Sequence, residues 1–373
     1  MMPAANKFVS RSARFFISYL QRLNAMVTKD MLIARRLLTN NHGMALLIAL
    51  TVISLIIALT IQFNKNMRQN LRASGTQSNN CRLEVMARSG VNLGMAVLLQ
   101  DAQDQEYTSL LDGWALLVDE DLSPLFDVGS LTVEISDNSG KFPINSLVQT
   151  KNMQTAELSP EKALARQQDA RNILWRLLRQ HPFNVEDQVA RTIIDSLIDW
   201  IDAEDGDWEE EFGAESSFYL ALNPSYSAKN GPVEFIEELL LVQGVTAELL
   251  YGTKEHQGLA PLLTTQGNDG LINVNTADPL LLQALHDDLT AEMAGDLEAF
   301  RAEIVNREQL ASTAWVATIL PSLSGQNTLK NIKVKSNDFT ITAQARLDST
   351  YKKIIATVQR NNQKTTLLHW KIE

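Results

Sequence analysis

MALLIALTVISLIIALTIQF, residues 44–63, runs for twenty positions without a charged side chain. As a helix rising about 1.5 Å per residue it spans the roughly 30 Å hydrocarbon core of a bilayer. A buried core helix would keep a polar stripe, but Thr51, Ser54, Thr60 and Gln62 are scattered around its circumference. The stretch therefore reads as a membrane span, and no other part of the chain approaches it.

Charge on either side of the span is lopsided. Of 33 basic and 44 acidic residues in the chain, seven bases (Lys7, Arg11, Arg14, Arg22, Lys29, Arg35, Arg36) and one acid (Asp30) lie within residues 1–43. That asymmetry predicts a cytoplasmic N-terminus and an acidic bulk across the membrane, which in a Gram-negative bacterium is the periplasm. Residues 13–38, with Phe15, Phe16, Leu20 and Leu23 set among arginines, predict a cationic membrane-surface helix. Met26 and Met31 offer alternative starts that would leave most of it out. A net charge of −11 argues against broad nucleic-acid contact. Cys81 is the single cysteine, so no internal disulfide is available and stability must come from core burial or a bound metal.

Beyond the span, residues 64–104 continue without proline, and Leu83, Met86, Gly90, Gly94 and Val97 mark one helical face. Gly90 and Gly94 lower helix propensity, which predicts close approach of another element across that face. A sheet is the natural candidate. Leu131, Val133 and Ile135 alternate, then Asp-Asn-Ser-Gly signals a turn, and Lys141–Asn145 predicts a second short strand. Strand character returns only near the end, with Phe339, Ile341, Ala343 and Ala345 alternating before KKIIATVQR and TTLLHWKI. Strands at both ends of a helical middle imply one sheet interrupted by an insertion.

The insertion reads as two helical units. In the first, Leu164, Ile173, Leu174, Leu177 and Leu178 mark one helix, and Val189, Ile193, Ile194, Leu197, Trp200 and Ile201 the next. Pro232 is expected to open a third, through Phe235, Ile236, Leu239 and Leu240 to Gly244. In the second, Thr276 is expected to cap a helix ending at Leu285. Thr290 should cap another carrying Met293, Leu297, Phe300 and Ile304.

Enzymatic signatures are missing. The five histidines (His42, His181, His256, His286, His369) are scattered singly, and the chain has no phosphate-cradling glycine loop or nucleophile elbow. The acidic run is more informative. Asp199, Asp202, Glu204, Asp205, Asp207, Glu209, Glu210, Glu211 and Glu215 crowd around Gly206 and Gly213. Calcium takes six to eight oxygens, and such a loop can supply them, with Asp202, Glu204, Asp205, Asp207 and Glu209 as the candidate ligands. The EF-hand template does not fit, since its first and third positions would be Ile201 and Ala203. LLLVQGV and INVNTADPLLLQAL are similar to helix-hairpin-helix units that bind DNA phosphates. Here the second hairpin is His286-Asp287-Asp288-Leu289, whose aspartates repel a phosphate backbone. No nucleic-acid partner is expected.

Four stretches carry a family resemblance: GMALLIAL, ARSGVNLGMAVLL, LIDWIDAEDGD…GAESSFYLALNPSYSAKNGPVEFIEELLLVQGV, and LINVNTADPLLLQAL. Together they resemble protein K (GspK), a minor pseudopilin family of type II secretion systems. The junction at Gly43-Met44 resembles a prepilin signal, which a dedicated peptidase cuts after glycine before methylating the new N-terminus. The resemblance implies an α+β fold. A pilin-like long N-terminal helix would pack on an antiparallel sheet, with a large inserted all-α domain of two helix-hairpin-helix or SAM-like units. The corresponding domains are a leader at 1–43, a transmembrane helix at 44–63, spine and first strands at 64–149, helical units at 150–255 and 256–330, and closing strands at 331–373. The implied role is assembly at the tip of the secretion pseudopilus. Implied partners are the minor pseudopilins GspI, GspJ and GspH, the major pseudopilin, the prepilin peptidase and inner-membrane lipid. The leader is longer, and the acidic loop richer, than the family would suggest.

One position carries its own physical argument. Counted from Met44, the fifth residue is Ile48, where most pilins and pseudopilins place a glutamate that neutralises a neighbour's N-terminal ammonium. A buried unpaired ammonium costs several kcal/mol, as an order of magnitude. A subunit lacking that carboxylate should lack the neighbour needing it, which places it at a filament end. Two other roles fit the sequence less well. One is a pilus- or DNA-uptake-associated binding protein using the hairpin-like units; the other is a periplasmic domain on an uncleaved anchor.

Overall fold

A computed structural model describes residues 18–29, 31–32, 42–148, 160–203, 210–267, 269–323, 330–361 and 363–373. They divide into two compact units, residues 1–78 and 79–373. In the first, residues 18–29 are helical, with Leu20 and Leu23 exposed. Helix α1 (His42–Asp104) begins there. From Gly43 through Phe63 every residue is exposed, and the segment is long and apolar enough to cross a membrane. So much uncovered apolar surface calls for lipid or protein around it.

In the second unit, residues 79–104 of α1 lie on a four-stranded antiparallel sheet. The strands are β1 (Ser130–Asp137), β2 (Asp338–Leu347), β3 (Thr350–Arg360) and β4 (Thr365–Ile372), paired in that order. The register sets Leu131 opposite Ala345, Val133 opposite Ala343 and Ile135 opposite Ile341. The inward residues alternate as expected, and Val133, Phe339, Ile341, Ala343 and Ala345 are fully buried. The glycine argument holds at both positions. A Cβ on Gly90 would stand 2.9 Å from the Ala343 Cβ, and one on Gly94 would stand 2.9 Å from the Ile341 Cγ2. Alanines in the sheet and glycines on the helix let the two backbones approach closely, and Leu83, Met86, Val91 and Leu98 fill the flanks.

The chain leaves this sheet after β1 and returns at β2, where Asp137 pairs with Phe339. The intervening residues build mainly helices: α2 (Pro160–Arg179), α3 (Asp187–Ile201), α4 (Pro279–Ala284) and α5 (Ala291–Ala302), with shorter turns between them. Residues from 150–255 and from 256–330 contribute to one continuous apolar cluster, including Leu177, Leu197, Tyr219, Leu262, Leu281 and Leu297.

Several local expectations need correction. Lys141–Asn145 does not extend the main sheet: Phe142–Pro143 pairs in parallel with Leu263–Thr264, and a 3-10 turn follows at Ile144–Leu147. Leu164, Val189 and Ile304 are exposed, at 67%, 41% and 78%. The first two sit near helix ends, beyond the buried stripe, and α5 has already stopped at Ala302 before Ile304. The segment after Pro232 is a 3-10 helix, Ile236–Leu241, with Phe235 exposed. Gly244, at φ +84, makes the turn beyond it. Asp278, not Thr276, caps α4, its side chain accepting from the Leu280 N–H while Pro279 takes the first helical position. Thr290 does cap α5 through the Met293 N–H.

Candidate functional site

Where the insertion meets the sheet, the polar groups are buried and interlocked. Arg360, the last residue of β3, is 4% exposed. Its guanidinium donates to the Asp101 carboxylate and Leu98 carbonyl of α1, to Thr108 Oγ1 at 2.7 Å and to the Ser336 carbonyl at 3.3 Å. It also lies 4.4 Å above the Phe339 ring. Asp137, the last residue of β1, accepts from Ser336 Oγ at 2.6 Å, Thr276 Oγ1 at 2.6 Å and Asn273 Nδ2 at 3.0 Å. Asn275 donates to the carbonyls of Thr108 and Leu310 and accepts from Trp315 Nε1 at 3.0 Å. Spine, sheet and insertion are thus fastened by one hydrogen-bonded network around Thr108, Asp137, Asn273 and Arg360. Such a network specifies one arrangement because breaking any member strands buried polar groups.

Sequence reasoning missed this joint. The signal was present in INVNT, where two asparagines interrupt an apolar run; both are buried, at 0% and 1% exposure. The same stretch resembled a phosphate-binding hairpin. In the structure that hairpin is held from within: Arg176 of α2 donates to both Asp287 oxygens, at 2.6 and 3.3 Å, and to the Ala284 and Leu285 carbonyls. The contact caps the end of α4 and neutralises the acid.

The acidic run starts from the end of α3. Asp199 is fully buried and accepts from the Glu210 N–H at 3.3 Å through one oxygen. Its other oxygen has no hydrogen-bond donor among the described residues. A Cβ on Gly213 would collide with that oxygen at 1.7 Å, so only glycine fits there. Burial, reinforced by the charges of Glu215, Asp202 and Glu210, pushes the Asp199 carboxyl up to about 7. Asp195 is also raised by burial, and Arg171 holds Glu210 in a two-pronged ion pair. A buried carboxylate oxygen lacking a donor among the described residues, in the field of neighbouring carboxylates, suits a hard cation. Of the expected ligands only Asp202 is described; Glu204, Asp205, Asp207 and Glu209 lie outside the described residues. Among the described residues no three acidic, histidine or cysteine side chains converge into a metal-binding group.

The positions expected to be processed fall in the first unit. Gly43 and Met44 lie in the first turn of α1, and a Cβ on Gly43 would meet nothing within 4 Å. Ile48 is 60% exposed on the same apolar surface. The histidines are not all solitary: the rings of His181 and His256 lie 6.0 Å apart.

A spine helix packed by glycines onto an antiparallel sheet, with helices inserted between the first two strands, defines a pilin-like α+β protein. One chain of the crystal structure of the GspK-GspI-GspJ complex from the enterotoxigenic Escherichia coli type 2 secretion system has this fold. The match has a TM-score of 0.58 at 21% identity and covers 80% of this chain and 99% of that one. The type II secretion system (T2SS), protein K profile matches residues 140–264. Protein K of Aeromonas hydrophila is 28% identical over 321 residues, 83% of this chain and 92% of the relative. Protein K of Pseudomonas aeruginosa is 26% identical over 254 residues, covering 66% and 68%. The chain is thus similar to type II secretion system protein K over most of its length, with the family profile matching the first part of its insertion.

Proposed function

We propose that this chain is the minor pseudopilin at the tip of a type II secretion pseudopilus, working by assembly and not by catalysis. The observation that carries the reading is the insertion fastened by a buried network to a pilin-like spine and sheet. The spine packs with the spines of sibling minor pseudopilins, GspI, GspJ and GspH, and of the major pseudopilin, while the insertion occupies the place of a further subunit. Ile48 fits a terminal subunit, since it offers no carboxylate to a neighbour's ammonium. The basic leader supports a cytoplasmic N-terminus and a periplasmic bulk in the inner membrane.

Processing gives the direct test. The prepilin peptidase is expected to cut between Gly43 and Met44, where the cationic leader meets the apolar run. N-terminal sequencing of the mature protein should begin at Met44, bearing a methylated amine, and Gly43→Leu should block the cut. A mature protein starting elsewhere would overturn the filament reading.

The acidic loop adds a calcium site to this proposal. Folding raises the Asp199 carboxyl from roughly 4 in an open chain to about 7. The folded state therefore holds the proton more tightly. This contribution to stability is full below pH 4 and is lost as pH rises through 7. Without calcium, the melting temperature should fall over that window, and Asp199→Asn should flatten the fall. At pH 7.5 calcium should raise the melting temperature of the unaltered protein by mass action and leave Asp199→Asn unmoved. Superimposable melts with calcium and with chelator would remove the site.

A further inference from the structure

Between the insertion and the end of the main sheet lies a cleft of about 620 Å³, within the roughly 300–1,000 Å³ usual for small-ligand sites. Residues 232–235 and 265–267 of the insertion form one wall; Asn337, Gln359 of β3 and His369 of β4 belong to the other. Asn145, 5% exposed, fastens the insertion wall. Its Nδ2 donates to the Val233 and Thr265 carbonyls at 3.0 and 2.9 Å, and its Oδ1 accepts from the Val233 N–H at 2.8 Å. The cleft is therefore preformed, and a guest would lose little to ordering it.

Its lining selects the guest. Phe235 stands 51% exposed, a large ring kept out of the core. The His369 ring meets it edge to face, 5.9 Å between centres at 78°, and is bonded to the buried Thr357 hydroxyl at 3.2 Å. Beside this aromatic corner, Asn337 is exposed and makes no side-chain hydrogen bond among the described residues. Gln359 and Gln266 each spend one amide N–H, on Asp338 and Thr265, and keep their amide carbonyls. The carboxylates are engaged: Asp269 with Lys333 at 2.8 Å, Asp338 with Gln359 at 3.0 Å, Glu234 with Lys229 at 3.6 Å. A cationic guest would have to break those contacts, and an anionic one would face three acids. What remains is a set of amide donors and acceptors beside an aromatic face. A neutral sugar ring matches it: the hydroxyls bond amides as donor and acceptor, and the C–H face covers an aromatic ring.

We infer that this cleft binds a neutral pyranose oligosaccharide, one ring lying on Phe235 with its hydroxyls on Asn337, Gln359 and Gln266. The site uses no residue of the acidic loop and stands independently of the tip reading. The test is calorimetric titration of the full-length protein with N-acetylglucosamine tetrasaccharide, with cellotetraose and with tetralysine. An amine-oxide detergent holds the protein, because maltoside headgroups are themselves sugars. Saturable binding of a tetrasaccharide is expected; preference for the first assigns the site to N-acetylated glycans, and preference for the second to plain glucans. Phe235→Ala and Asn337→Ala should each weaken binding about three- to tenfold, the size of one lost ring contact or hydrogen bond. Their melting temperatures should match that of the parent, because both side chains are exposed. Failure of both sugars to bind the unaltered protein, undiminished binding in both variants, or binding of tetralysine in place of the sugars would overturn the inference.

Discussion

Arg360→Ala is expected to be among the most damaging single substitutions in the second unit, costing about 3–5 kcal/mol, the range for removing one partner of a buried ion pair. The loss is more than one interaction. Removing the guanidinium strands the Asp101 carboxylate, which is 9% exposed, leaves the Thr108 hydroxyl and the Ser336 and Leu98 carbonyls short of a donor, and empties the space over Phe339. Arg360→Met is the informative companion. It restores packing without the charge, so its cost beyond that of the parent isolates the polar part. Asp101→Asn combined with Arg360→Met removes both charges and should recover part of the loss, as buried pairs replaced together often do. Chemical denaturation of the four proteins checks this. A cost for Arg360→Ala within 0.5 kcal/mol, the size usual for a surface change, would show that the joint does not hold the insertion.

The joint also explains which parts of this molecule were legible in the sequence. Periodicity and glycine placement are local signals, and they were enough for the spine, for strands with alternating residues such as Leu131 to Ile135, and for the interrupted sheet. Periodicity overreached where the apolar pattern outlasted the buried stripe, as at Leu164, Val189 and Ile304. At Thr276, a plausible cap was outcompeted. Asp278 precedes a proline that fixes the helix start, which leaves the Thr276 hydroxyl to bond Asp137. The network itself joins Thr108 to Asn273 and Arg360, and those partners meet only after the insertion has folded back against the sheet. Nothing in the local pattern around Arg360 distinguishes it from a surface arginine ending a strand. The histidine pair was hidden for the same reason, since its two turns are brought together by packing alone.

Removing the insertion should impair secretion severely, while Ile48→Glu should leave it largely intact. The geometry makes the deletion feasible. Asn138 donates its N–H to the Asp338 carbonyl at 2.9 Å, so β1 and β2 already meet there as adjacent antiparallel strands. A two-residue Asn-Gly turn between Asn138 and Asp338 can close the gap as a hairpin. Asp137 then faces water instead of losing partners inside a core, and Arg360 keeps Asp101, Leu98, Thr108 and the Phe339 ring, so the pilin-like unit should still fold and reach the membrane. What it would lack, on the proposed reading, is the bulk that occupies the next subunit's place. Ile48→Glu changes the opposite feature: it supplies the carboxylate that an added neighbour's ammonium needs. A buried ion pair often barely repays its own desolvation, so a few kcal/mol cannot offset exclusion by a folded body. A secretion assay on both variants, with cross-linking to the sibling pseudopilins, separates the two contributions. Secretion lost in Ile48→Glu and unaffected by the deletion would assign the tip to the membrane helix and take it away from the insertion.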